Sequence, residues 1–177
     1  MNKNIEQIVL AGLFIAIGII LPPLFHSVNL GSVISPIHFP VLLCGLLLGW
    51  KYGGICGFIT PLFAGIIWGM PQQPLALIMG LELATYGIVS GLLYKKLRLF
   101  KNPIANLYFS LIVAMVLGRF VFGAINGILF LLDIWGTGFK VFLTTVFITG
   151  LPGIILQILI VPALVITIEK RNLYYES

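Results

Sequence analysis

Glu82 and Arg119 are the residues whose charges fit their surroundings least. Glu82 stands near the middle of Leu75–Tyr94 (LALIMGLELATYGIVSGLLY), a run of twenty residues with no other Asp, Glu, Lys, Arg or His. Twenty predominantly apolar residues rise about 30 Å as a helix, enough to cross a bilayer core. A carboxylate at that depth costs on the order of 2.5–3.5 kcal/mol on insertion scales, so it demands a partner or a role. Arg119 is the only base inside any other apolar segment. Two readings of the pair stand side by side: an internal salt bridge that fixes helix packing, or two charges that face a ligand.

Neighbouring residues extend the constellation. Met79, Glu82 and Tyr86 share a helix face by their i, i+3, i+7 spacing, and Arg119 shares one with Asn126 seven residues on. Gly123 and Gly127 flank that second stripe and leave room beside it. His38 opens the next candidate helix, while Trp68, Gln72 and Gln73 lie at the end of another and in the turn after it. A few placed polar groups on largely apolar walls are the makeup of a small-molecule pocket. The candidate substrate-binding residues are therefore Glu82, Arg119, Asn126, His38, Trp68, Gln72 and Tyr86, although a lone His at a helix start also serves as a hydrogen-bonded structural residue. The chain contains no HExxH, GxSxG, Gly-rich phosphate loop or paired-acid metal pattern, so the reading includes no catalytic residue, metal or cofactor and is not that of an enzyme. Cys44 and Cys56 lie singly in apolar runs, without CxxC spacing, and read as small buried hydrophobes.

The elements that must hold these residues are membrane helices. Of 177 residues, 60% are hydrophobic and 8% charged, and the mean hydropathy is +1.15. A soluble domain cannot hide that much apolar surface. The apolar runs exceed the roughly 9–11 residues of a barrel strand and do not alternate, which predicts helices. The expected fold is all-α, six transmembrane helices in one bundle, forming a single domain over 1–177. Their expected bounds are about 5–25, 37–50, 52–68, 74–94, 104–132 and 141–168. The first ends in Pro22-Pro23 rather than a cleavage site, so it reads as a retained helix. Gly12 and Ala16 form a small-xxx-small pair on it, extended by Gly18, for packing inside the bundle or at an external interface. Segment 37–50 is short, so a re-entrant hairpin with 52–68 rivals a full crossing. Gly150, Pro152 and Gly153 predict a kink in the last helix.

Charge orients the bundle. Lys3, Lys51, Lys95, Lys96, Arg98, Lys101, Lys170 and Arg171, eight of ten bases, fall at the start, the second turn, the fourth turn and the tail. With six crossings these all lie on one side, so the positive-inside rule puts both termini in the cytoplasm. The net charge of +5 is spread over helix ends and does not suggest nucleic-acid binding. In this frame Glu82 lies about 12 Å, Arg119 about 20 Å and Asn126 about 9 Å below the outer surface.

The run SPIHFPVLLCGLLLGWKYGGICGFITPLFAGIIWGM, followed by ELATYGIVSGLLYKK, resembles the second to fourth helices of the substrate-binding S components of energy-coupling-factor (ECF) vitamin transporters, in their riboflavin-transporter-like group. The resemblance implies a high-affinity capture subunit in the bacterial cytoplasmic membrane, partnered by a transmembrane T component and two cytoplasmic ATPases. It implies capture from outside, gating by outer loops, and toppling of the subunit to release a water-soluble vitamin inside. It places the T-component contact on helix one, where Gly12 and Ala16 match an AxxxA-type motif with Gly for the first Ala. The likeness is to pantothenate-type members, and a deep Arg119 suits a carboxylate. Riboflavin, folate and niacin derivatives are the other vitamins considered. A six-helix membrane scaffold without ligand is the alternative from a different class; it has no use for a polar pocket over a deep Arg.

Overall fold

The structure, a computed structural model, describes residues 3–27, 34–132 and 151–175. Among these residues it is all-helical: α1 (Lys3–His26), α2 (His38–Leu48), α3 (Trp50–Trp68), α4 (Leu75–Gly91), α5 (Pro103–Leu131) and α6 (Leu151–Tyr175). A widened π turn, Leu92–Leu97, continues α4. Five of the helices are long and apolar enough to cross a membrane; α2 is the shorter sixth. Residues 141–150 of the expected last helix, with Gly150 of its expected kink, lie outside the described residues, as do Lys140 and the rest of 133–140.

α4 is the hub, packed against α2, α3 and α5, while α1 lies against α2 and α3, and α6 reaches α2 and α5. The helices α3 and α4 approach backbone to backbone, because a Cβ on Gly53 would stand 2.5 Å from the Gly87 carbonyl oxygen. Beyond His38 at its start, α2 is apolar all round, which belongs to a helix enclosed by others. Its Val41, Leu42, Cys44 and Leu46 have no exposed surface. It spans eleven residues, about 16 Å, because Gly49, at φ 94°, turns the chain into α3. Cys44 and Cys56 are free and buried in this core.

The helix ends follow local chemistry. Asn102 caps α5, its side-chain oxygen accepting from the Ile104 N–H at 3.0 Å, with Pro103 at the first helical position where its missing N–H costs nothing. α1 runs on through Pro22 and Pro23 to His26. Pro23 has no N–H for the Ile19 carbonyl four residues earlier, and Trp68 Nε1 donates to that carbonyl at 3.0 Å instead. This side-chain bond ties the end of α3 to α1.

Candidate functional site

Glu82 is 1% exposed, in the middle of α4. Three side chains converge on its Oε1. Tyr86, one turn on in α4, donates its hydroxyl at 2.9 Å. Arg119 Nη1, from α5, lies at 3.3 Å. His38 Nε2, from the start of α2, lies at 3.9 Å. The i, i+4 spacing explains the Tyr86 contact. The Arg119 contact bridges backbone levels that residue counting put about 8 Å apart in depth. The 29 residues of α5 amount to about 44 Å, longer than a bilayer core, so counting from the helix end does not fix the level of Arg119, and its long side chain reaches Glu82.

His38 is held from its other side. Its Nδ1 lies 3.1 Å from the Ser35 carbonyl oxygen; a carbonyl only accepts, so this bond puts a proton on Nδ1 and turns Nε2 toward Glu82. The His38 and Tyr86 rings meet at 5.3 Å between centroids and 50°. Gly118 of α5 makes room for Tyr86, since a Cβ there would overlap the ring. Two buried polar atoms, His38 Nε2 and Arg119 Nε, have no hydrogen-bond partner among the described residues.

Arg119 also faces a cavity of about 510 Å³ between α5 and α6. Among the described residues its other walls are apolar, including Met115, Phe120 and Ala124 of α5 and Leu151, Ile154 and Ile158 of α6. The guanidinium therefore stands between a buried carboxylate and an apolar chamber, of a volume suited to a small organic molecule. Removing the guanidinium alone would leave Glu82 as an uncompensated buried charge, a loss of about 3–5 kcal/mol. The arrangement can present one fixed cationic donor to an anionic group in the chamber.

Glu82, Arg119, His38 and Tyr86 thus come together, and the other three candidates sit elsewhere. Asn126 turns its amide back to the Phe122 carbonyl of its own helix at 2.8 Å. Trp68 is spent on the Ile19 carbonyl. Gln72 is exposed in the turn before α4. On α1, a Cβ at Gly12 would meet nothing within 4 Å, and Ala16 is exposed. Gly18 does not extend that surface: it faces inward, 2.6 Å from Thr60 Cγ2 for an added Cβ. Sequence reasoning missed the α6 wall, whose Ile and Leu residues have no chemical signature, and the buried Gln157, 1% exposed, in the same helix. It also missed Gly118, identifiable only as the residue facing Tyr86 across a helix contact.

The family model described as ECF transporter, substrate-specific component, matches residues 6–165. The chain belongs to that family, and so to the transporter components rather than to an enzyme family. It is a multi-pass membrane protein, and the family implies a small-molecule substrate and an ECF T component with ATPases. No curated protein and no solved structure matches the chain.

Proposed function

We propose that this chain captures a carboxylate-bearing water-soluble vitamin or precursor, pantothenate first, for an ECF importer in the bacterial cytoplasmic membrane. The observation that carries this reading is the divided guanidinium of Arg119. Nη1 holds Glu82 at 3.3 Å, while the side chain keeps 18% of its surface exposed and walls the chamber. A ligand carboxylate in the chamber meets the exposed part of the Arg119 side chain and makes a charge-assisted hydrogen bond in a low-dielectric site. Glu82 is the positioning residue that aims Arg119, and His38, 3.9 Å from the same carboxylate oxygen, braces it from the other side.

Pantothenate suits this division of labour. It carries one carboxylate, an amide and two hydroxyls, and its dimethyl-substituted carbon packs against apolar walls such as Met115 and Ile154. Riboflavin wants stacked aromatic faces, and Phe120 is the one aromatic residue among the described lining. The family match lends nothing to a scaffold reading.

Both termini are cytoplasmic and the chain makes six passes in this proposal, although the roughly 16 Å of α2 falls short of the bilayer core by itself and lies enclosed by the other helices. The open face of α1 at Gly12 and Ala16 meets the T component, where small residues allow close helix approach. Purified protein should be stabilised against heat by one member of a vitamin panel, pantothenate giving the largest shift. A flat response to pantothenate, riboflavin, folate and niacin alike would remove the capture reading. Gly12→Leu should keep ligand binding and lose most uptake once the T component and ATPases are co-expressed. Undiminished uptake would take the T component away from this face.

A further inference from the structure

A second polar site lies at the other end of the bundle and shares no residue with the Arg119 chamber. A cleft of about 220 Å³ opens among the π turn, the start of α5 and the end of α6. The three candidate spans Leu75–Leu97, Pro103–Leu131 and Leu151–Lys170 end or begin together there, which is the level of lipid headgroups. Among the described residues Arg98 and Lys101 line it, beside Lys95 and one carboxylate, Glu169. Glu169 Oε2 already accepts from the Tyr94 hydroxyl at 2.7 Å.

The cleft is built rather than incidental. The Tyr94–Glu169 bond closes one wall across 75 positions of sequence. Asn106, 3% exposed, closes another: its Nδ2 donates to the Tyr94 carbonyl at 3.3 Å, and its Oδ1 accepts from Phe100 N at 3.4 Å. Arg98 is held at φ 42°, ψ 60°, a left-handed conformation that a non-glycine residue adopts only when its surroundings impose it. Its N–H donates to the Leu93 carbonyl at 3.0 Å and closes the π turn. The first free N–H groups of α5 are taken by Asn102, so recognition falls to the side chains.

The flanking residues indicate the source of the anion. In Lys96-Leu97-Arg98-Leu99-Phe100-Lys101 apolar residues interleave with the bases, and Leu97, Leu99 and Phe100 are 50%, 57% and 45% exposed. A soluble phosphate has no use for that exposed apolar surface, whereas a phospholipid brings acyl chains to it. We propose that the cleft binds the phosphodiester of an anionic phospholipid of the phosphatidylglycerol type. Arg98 and Lys101 pair with the phosphate, while Leu97, Leu99 and Phe100 lie against the acyl chains. Basic pockets between membrane helices bind anionic headgroups in this way. The bound lipid pins the α4–α5 turn to the leaflet.

The test uses the full chain in neutral detergent, titrated with dioctanoyl phosphatidylglycerol, dioctanoyl phosphatidylcholine or inorganic phosphate and read by native mass spectrometry and thermal shift. The wild type retains phosphatidylglycerol over phosphatidylcholine. Arg98→Gln with Lys101→Gln weakens phosphatidylglycerol binding on the order of thirtyfold and leaves phosphatidylcholine unchanged. Lys101→Gln alone, at an exposed position, weakens it about fivefold and carries the test if the double variant does not fold. Equal retention of phosphatidylglycerol by wild type and Lys101→Gln would overturn the proposal. Full displacement of that lipid by inorganic phosphate would likewise overturn it, assigning the cleft to a soluble anion.

Discussion

Tyr86 and Tyr94 stand eight residues apart, and each donates a hydroxyl to a glutamate, Glu82 at 2.9 Å and Glu169 at 2.7 Å. The two pairs sit among the same kinds of residue in different surroundings. Glu82 is enclosed by α2, α4 and α5, with Arg119 and His38 converging on one oxygen. Glu169 is half-buried at the end of α6, beside a cleft open to bases. Burial decides what such a cluster is worth. In the core every charge depends on its neighbour, because water is not there to replace a lost partner. At the rim water and ions can replace one. A site that must hold an anion firmly belongs in the first setting, and one that grips a headgroup loosely belongs in the second.

The comparison breaks most readily at Arg119. Arg119→Ala is expected to lower stability by about 3–5 kcal/mol, because Glu82 stays behind as an unpaired buried charge. Lys101→Ala, at the rim, should move stability by about 0.5 kcal/mol or less. Denaturant titration in detergent measures both; similar losses would erase the distinction between the two ends. Tyr86→Phe removes a buried hydrogen bond to a charged group and should cost about 1.5–3 kcal/mol. A smaller loss, about 0.5–1.5 kcal/mol, is expected for Tyr94→Phe, and the reverse order would mean that burial is not what separates the pairs.

A glycine pair sharpens the same point by packing alone. Gly118→Ala drives a methyl into the Tyr86 ring, an overpacking loss of about 1–3 kcal/mol that should also weaken ligand capture. Gly127→Ala, in the same helix, meets nothing within 4 Å and should stabilise by about 1 kcal/mol through helix propensity. Thermal unfolding of the two variants should shift in opposite directions.

The helices were legible because long apolar runs are hard to mistake, and Glu82 and Arg119 because charges within such runs are rare. Tyr86 followed from i, i+4 spacing. Trp68 and Asn126 stand apart from the Glu82 cluster for a shared reason: a polar group in an apolar segment is as readily bonded to the backbone as offered to a ligand. The carbonyl left over by Pro23 takes Trp68, and the Phe122 carbonyl takes Asn126. The π turn carries no residue pattern that distinguishes it from an α-helical end. The Tyr94–Glu169 bond joins residues 75 positions apart, a distance at which one sequence does not reveal pairing.

The central claim is that Arg119 is shared between Glu82 and a captured carboxylate. Mass spectrometry of the small molecules released from purified protein tests it most directly, using wild type and the paired variant Arg119→Gln with Glu82→Gln, which removes both charges together and spares the fold an unpaired one. The wild type should release a carboxylate-bearing vitamin, pantothenate foremost, and the folded paired variant should release none. Equal release from both, or release of a vitamin without a carboxylate, would contradict the account.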